Sequence, residues 1–149
     1  MPVTSILLEH RVGFGDKFII RYRASSNPQF AINLIDNSRN NILLHFNPRY
    51  ERDAKNNKKL ILNNCINGKW QEEVKYDLMA DLRGEKDMTI VAQPHAFVIT
   101  AADGKIYEFP MRISAETCSR VEITMGSFKS VVHEKQEVNY HHAKTYEYD

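Results

Sequence analysis

The chain has 149 residues and a formal net charge of +1, with 42% hydrophobic and 26% charged residues. That length and balance suit one soluble globular domain, and a charge so near zero implies no strong electrostatic pull toward nucleic acid or anionic lipid. No apolar run approaches the roughly 18 residues of a membrane-spanning helix.

The N-terminal segment MPVTSILLEHRVGFGD has no basic region ahead of its short apolar run. The expectation is therefore synthesis in the cytosol without a leader peptide. Strand signals then dominate. KFIIRYRA alternates, with Phe18, Ile20 and Tyr22 on one face and Lys17, Arg21 and Arg23 on the other. FAINLID and NILLHFN follow, separated by the polar turn cluster NSRNN. In the second of these, Ile42, Leu44 and Phe46 are expected to face a core. KNNKK, Lys55 to Lys59, reads as a solvated loop, and KKLILNN as a further short strand. MTIVAQ and HAFVITA come next, and Asp103-Gly104 marks a hairpin between FVIT and KIYEF. SAETCSRVE allows one short helix, and VEITMGSFKSVVH ends the patterned region. Short strands with turns between them predict an all-β, antiparallel two-sheet sandwich of jelly-roll type. Residues 1–134 are assigned to this domain. Residues 135–149, rich in Tyr and charge, are expected to form an appended C-terminal tail.

Cys65 and Cys118 lack CxxC spacing and read best as free thiols, liable to oxidation outside the cell. His141-His142 is too small a group to imply a metal. No cofactor is expected.

The stretch LLHFNPRY, Leu43 to Tyr50, departs from ordinary strand composition. His45, Asn47 and Arg49 occupy alternate positions and so share a face. Solvated sheet faces usually carry Lys, Glu, Thr and Ser; three hydrogen-bonding groups of different shape in a row suggest a recognition surface instead. Asn63, Trp70, Glu73 and Lys75 follow. Glu73 and Lys75 share strand parity but Trp70 does not share it with Glu73, so a bulge or loop must intervene, with Gly68 as the candidate break. The plainer readings are a turn asparagine, a core tryptophan and a surface ion pair of small worth.

His-Phe-Asn-Pro-Arg, then an Asn, then a Trp seven residues on and a Glu three further, resembles the galectin carbohydrate-recognition domain. The likeness extends through VGFGDKFIIRYRASSNPQFAINLIDNSRNNILLHFNPRY and DGKIYEFPMRI, and covers roughly Val3 to His133. It implies a lectin that binds β-galactosides such as lactose and N-acetyllactosamine-type glycans, not an enzyme, on a concave sheet. His45, Asn47 and Arg49 would bond the axial 4-hydroxyl and ring oxygen of galactose. Asn63 and Glu73 would take the 6-hydroxyl, and Trp70 would lie against the apolar face of the ring. Arg49 and Glu73 would also reach a second sugar. The family usually has an arginine where this chain has Lys75, so the galactose subsite is expected to be kept and the second subsite altered, with Arg52 or Asp53 as candidate replacements. The resemblance also implies export without a leader, hence both cytoplasmic and extracellular locations. It further implies cross-linking of glycoproteins or glycolipids through multivalency, with a homodimer left open.

Two other functions are weighed. A glycosidase needs two carboxylates flanking the scissile bond, and adjacent Glu72 and Glu73 would face opposite ways on a strand. A protein-interaction module with altered or lost sugar specificity would have no use for all six of His45, Asn47, Arg49, Asn63, Trp70 and Glu73.

Overall fold

Alternation of apolar and polar side chains decides which way each strand faces. The structure, a computed structural model, describes residues 2–51, 58–136 and 141–148, with His141 and His142 described as backbone alone. The strands in chain order are β1 (Ser5–Leu7), β2 (Lys17–Ala24), β3 (Ala31–Asp36), β4 (Asn41–Arg49), β5 (Lys59–Ile66), β6 (Lys69–Trp70) and β7 (Val74–Asp77). They continue with β8 (Gly84–Ala92), β9 (Ala96–Thr100), β10 (Ile106–Pro110), β11 (Arg120–Thr124), β12 (Gly126–Gln136) and β13 (His141–Glu147). One sheet runs β1-β11-β3-β4-β5-β6, with β7 also paired to β5; the other runs β10-β9-β8-β2-β12-β13. All of these pairings are antiparallel. The expected all-β two-sheet sandwich is what the chain forms.

The core lies between the sheets. β2 gives Phe18, Ile20 and Tyr22 to it, all buried, and its outward Arg21 and Arg23 pair across the strand with Asp87 and Glu85 of β8. The facing sheet contributes Ile32, Leu34, Leu44, Phe46, Leu60, Leu62, Val121 and Ile123. Each large side chain buried in this way contributes about 1.5–3 kcal/mol. The Asp103-Gly104 hairpin forms as expected: Gly104 takes φ 84°, and its N–H donates to Ala101 O at 2.9 Å. The helical signal in SAETCSRVE reduces to a single 3-10 turn, Ala115–Thr117, capped by the Ser114 side chain.

Three expectations need correction. First, Ile42 does not join Leu44 and Phe46 in the core. The register of β4 shifts between Ile42 and His45, a bulge that buries both Leu43 and Leu44 and turns Ile42 off the inward face. Second, the patterned region does not end at His133. β12 runs on to Gln136, and β13 pairs with it from Ser130↔Glu147 to Gln136↔His141. The residues expected as a tail therefore supply the outer strand of a sheet. Glu9 N–H donates to the Tyr146 hydroxyl at 2.8 Å, Lys144 pairs with Glu9 at 3.2 Å, and Tyr148 N–H donates to Lys129 O. Third, Cys65 and Cys118 are free but buried. Burial pushes the Cys118 thiol up to about 12, so it holds almost no thiolate at neutral pH and is not the oxidation-prone group expected.

Candidate functional site

β4 and β5 set the first four positions. His45 lies directly across from Asn63, and Arg49 from Lys59. With Leu44, Phe46, Leu60 and Leu62 turned to the core, the period of two puts His45, Asn47, Arg49, Ile61 and Asn63 on the opposite face.

The β5–β6 hairpin turns at Asn67 (φ 51°) and Gly68 (φ 79°), two left-handed residues in succession, as a two-residue hairpin loop demands. This brings Trp70 opposite Cys65. Pairing resumes only at Val74, opposite Leu62. Between these ladders β5 advances three residues, Cys65 to Leu62, while the partner strand advances four, Trp70 to Val74. The extra residue lies in Gln71–Glu73. It supplies the change of parity that the sequence required, placed after Trp70 rather than at Gly68. Trp70, Glu73 and Lys75 thereby share one face with His45 and Asn63.

The result is a groove of about 390 Å³ lined by all six candidate residues, His45, Asn47, Arg49, Asn63, Trp70 and Glu73, together with Gln29, Ile61 and Gln71. The indole of Trp70 is 52% exposed and its ring centroid lies 4.6 Å from that of His45. The expected plate is therefore in the groove, and the plainer reading of a core tryptophan does not hold. Arg49 Nη2 stands 3.7 Å from Glu73 Oε2, and Lys75 Nζ stands 3.7 Å from Glu73 Oε1. One carboxylate is thus bracketed by two cations. A second hollow of about 430 Å³ continues from this pair, lined by Arg49, Glu51, Lys59, Ile61, Glu73 and Lys75. Arg52 and Asp53, the other second-subsite candidates, lie outside the described residues.

Hydrogen bonding fixes what each group can still offer. Asn47 is buried; its amide donates to Phe30 O at 2.7 Å and Gln29 Oε1 at 3.3 Å, and its Oδ1 accepts from Arg49 Nε at 2.8 Å. One lone pair remains to Asn47, and its main effect is to aim the guanidinium. Asn63 donates to Gln71 O at 2.9 Å and accepts from Asn64 N–H at 2.8 Å, leaving one amide hydrogen. His45 Nδ1 sits 2.6 Å from Asn33 Oδ1. Because Asn33 Nδ2 donates to Glu122 at 3.2 Å, its oxygen must face the imidazole. Nδ1 then carries the proton and Nε2 is an acceptor. Burial first, and the Arg49 cation second, push the His45 imidazole down to about 4, so the ring is neutral at pH 7.

Sequence reasoning missed the residues that hold these groups in place: Gln29, Asn33 and Arg112. The Arg112 guanidinium donates to Asn64 Oδ1 at 3.0 Å and Glu72 O at 2.7 Å. None of the three lies within the spaced motif, and their partners are 12 to 89 residues away in sequence. No local signal marks them.

The arrangement offers a neutral acceptor, a fixed cationic fork, a carboxylate and an indole face on one open surface. Residues 2–133 match the family model for galactoside-binding lectin. The fold resembles that of a toad ovary galectin solved with N-acetylgalactose, at 22% identity and TM-score 0.74, covering 85% of this chain and 94% of that one. It also resembles galectin-Va of Xenopus laevis, at 23% identity and TM-score 0.74, covering 87% and 93%. Chicken galectin 2 is similar at 23% identity and TM-score 0.71, covering 97% and 100%. No match is found among curated proteins. With its family model matched along nearly the whole sandwich, the chain belongs to the galactoside-binding lectins.

Proposed function

We propose that the groove grips the galactose ring of β-galactoside glycans, with His45, Asn47 and Arg49 at the 4-hydroxyl and ring oxygen, Asn63 and Glu73 at the 6-hydroxyl, and Trp70 under the C–H face. The single observation that carries this reading is the extra residue in Gln71–Glu73, which turns the indole and the carboxylate to the same face as His45 and Asn63. A sugar offers many hydroxyls and a patch of C–H, and this face answers both. His45 Nε2 accepts from a hydroxyl, Arg49 only donates, and Glu73 when ionised only accepts. In glucose the 4-hydroxyl is equatorial, leaving His45 and Arg49 poorly used. A glycan array with lactose, N-acetyllactosamine and their glucose-terminated counterparts tests the assignment; equal signal from both series would sink it.

The groove binds and releases without breaking bonds on this reading. Glu73 is the one carboxylate among its lining residues, whereas glycoside hydrolysis uses two. Incubation with a chromogenic galactoside should release no product.

Lys75 makes the second subsite different from a bidentate one, since an ammonium is a point charge and a guanidinium a planar fork. Lys75→Arg should strengthen N-acetyllactosamine binding several-fold, roughly 3- to 10-fold for one improved charge-assisted bond on an open surface, and leave methyl β-galactoside unchanged. Titration calorimetry with both ligands checks it; an equal gain for both would place Lys75 at the galactose ring instead.

Lactose affinity should stay flat from pH 8 to about 5.5 and fall as pH nears 4, where His45 Nε2 becomes a donor. Stability moves in the same direction. The folded value lies below the ordinary 6.5, so between these values the unfolded chain takes up a proton that the folded chain refuses. The His45 contribution is complete above about pH 6.5 and is lost as pH falls toward 4. A midpoint for lactose binding near 6.5 would contradict the neutral, buried imidazole.

One weak site per chain gains strength when two are joined, by roughly 10²–10⁴ in avidity. We infer a homodimer that cross-links glycoconjugates; among the described residues β1 ends its sheet and carries exposed Leu7. Sedimentation across a concentration range tests it. Work in both the cytosol and the extracellular space follows from the same reading, with family membership its only support.

A further inference from the structure

We propose that Arg112 is a positioning residue for the groove. It clamps the inserted peptide between Trp70 and Glu73 from the opposite sheet's side of the sandwich. The inference rests on the galactoside reading only for its affinity readout, since the clamp itself is a matter of chain geometry.

The inserted stretch lies outside the strand ladders that hold the rest of the site. Trp70 pairs with Cys65 and Val74 with Leu62, and Gln71–Glu73 belongs to neither ladder. Gln71 is fixed by β5, its N–H donating to Asn64 O at 3.0 Å and its carbonyl accepting from Asn63 Nδ2 at 2.9 Å. Glu72 is reached from elsewhere. Arg112 follows β10, and its Nη1 donates to Glu72 O at 2.7 Å and to Asn64 Oδ1 at 3.0 Å, with Asn63 Oδ1 at 3.5 Å. The guanidinium carbon lies 4.8 Å from the ring centre of Phe109, a side chain buried in the core. Stacking on that ring fixes the plane of the fork.

This places one cation between the Glu72 carbonyl and the Asn64 side chain, just behind the groove. The Glu72 carbonyl belongs to the peptide unit that leads directly into Glu73, so holding it sets where the carboxylate starts. Asn64 is fully buried and its Nδ2 has no partner among the described residues, so Arg112 supplies the one side-chain contact that orients its amide. The Asn64 backbone in turn bonds Gln71 N–H and the Asn63 side chain. Arg112 thus acts on Glu73 through Glu72, and on Asn63 and Trp70 through Asn64, and touches no sugar itself.

The experiment uses the full chain, whose sole tryptophan is Trp70. Time-resolved anisotropy of Trp70 is recorded without ligand for wild type, Arg112→Met and Arg112→Lys, alongside lactose calorimetry and thermal melting. Arg112→Met should show a larger fast local component and bind lactose roughly tenfold more weakly, the equivalent of one charge-assisted hydrogen bond. Its melting temperature should fall by several degrees, because the buried Asn64 Oδ1 loses its donor. Arg112→Lys, which keeps one cationic donor, should fall between, and it carries the same comparison if the methionine variant does not fold. In a Glu73→Ala background the methionine substitution should cost less than it does alone, since part of its route is gone. Wild-type anisotropy in both variants overturns the proposal, as does a full additive loss in the double variant. A wild-type chain that ignores lactose while Arg112→Met still loosens Trp70 leaves the clamp standing and removes the sugar assignment.

Discussion

Trp70→Ala abolishes retention on a lactose column while the melting temperature stays within a few degrees of wild type; that is the expected result. The indole stands on the groove face, 52% exposed, so its removal opens no cavity in the core, and surface changes of this kind usually shift stability by about 0.5 kcal/mol or less. On the sugar side the loss is larger. Covering about 80 Å² of apolar surface is worth roughly 2 kcal/mol, or about thirtyfold in affinity. A single open site binds weakly to begin with, and thirtyfold removes it from the range a column can hold. Loss of the indole also removes a neighbour of the His45 ring, 4.6 Å away between centroids. Binding that survives Trp70→Ala would move the sugar to another surface.

Arg49→Lys produces nearly as large a loss although the charge is kept. Arg49 Nε is held by Asn47 Oδ1 at 2.8 Å, while Nη2 looks toward Glu73 at 3.7 Å. A lysine has one nitrogen and cannot serve both directions. Hydrogen bonds to charged groups contribute about 1.5–3 kcal/mol each when well formed, and the partial exposure of Arg49 and Glu73 argues for the lower end. The expected outcome is roughly ten- to thirtyfold weaker lactose binding by calorimetry, with Asn47 left without the donor to its Oδ1. Wild-type affinity in Arg49→Lys would mean that the site needs only a cation there, and that the fork geometry is irrelevant.

Much of this was legible in the sequence because strand faces follow a period of two. Phe18, Ile20 and Tyr22 could be read inward from KFIIRYRA, and the hairpin at Asp103-Gly104 from its turn chemistry. The spaced set from His45 to Glu73 could be read because each residue type answers a feature of the ligand. What failed was parity across irregular backbone. Ile42 was read inward because nothing in NILLHFN announces the register shift before His45. The missing parity between Trp70 and Glu73 was noticed, yet Gly68 drew the break to itself, because glycine is a visible signal and an inserted residue in QEE is not. Gly68 serves the hairpin turn instead. Arg112 escaped notice for a different reason: its meaning depends on where β10 ends relative to β5, a relation between sheets that local patterning does not encode. The C-terminal residues were misread on composition, since a strand held by backbone pairing, two tyrosines and one lysine needs little apolar alternation.

That outer strand has a bearing on how copies of the protein can meet. The border of β12 from Ser130 to Gln136 is already taken by β13 of the same chain, so its N–H and C=O groups are not on offer to a neighbour, and bare strand borders are where chains most readily join. A second molecule could extend this sheet only along β13 itself or along β10 at the far end; to reach β12 it would first have to displace β13, together with the Tyr146 and Lys144 attachments at Glu9. The last residues of the chain thus decide which border this sheet presents to its surroundings: β13 in place of β12.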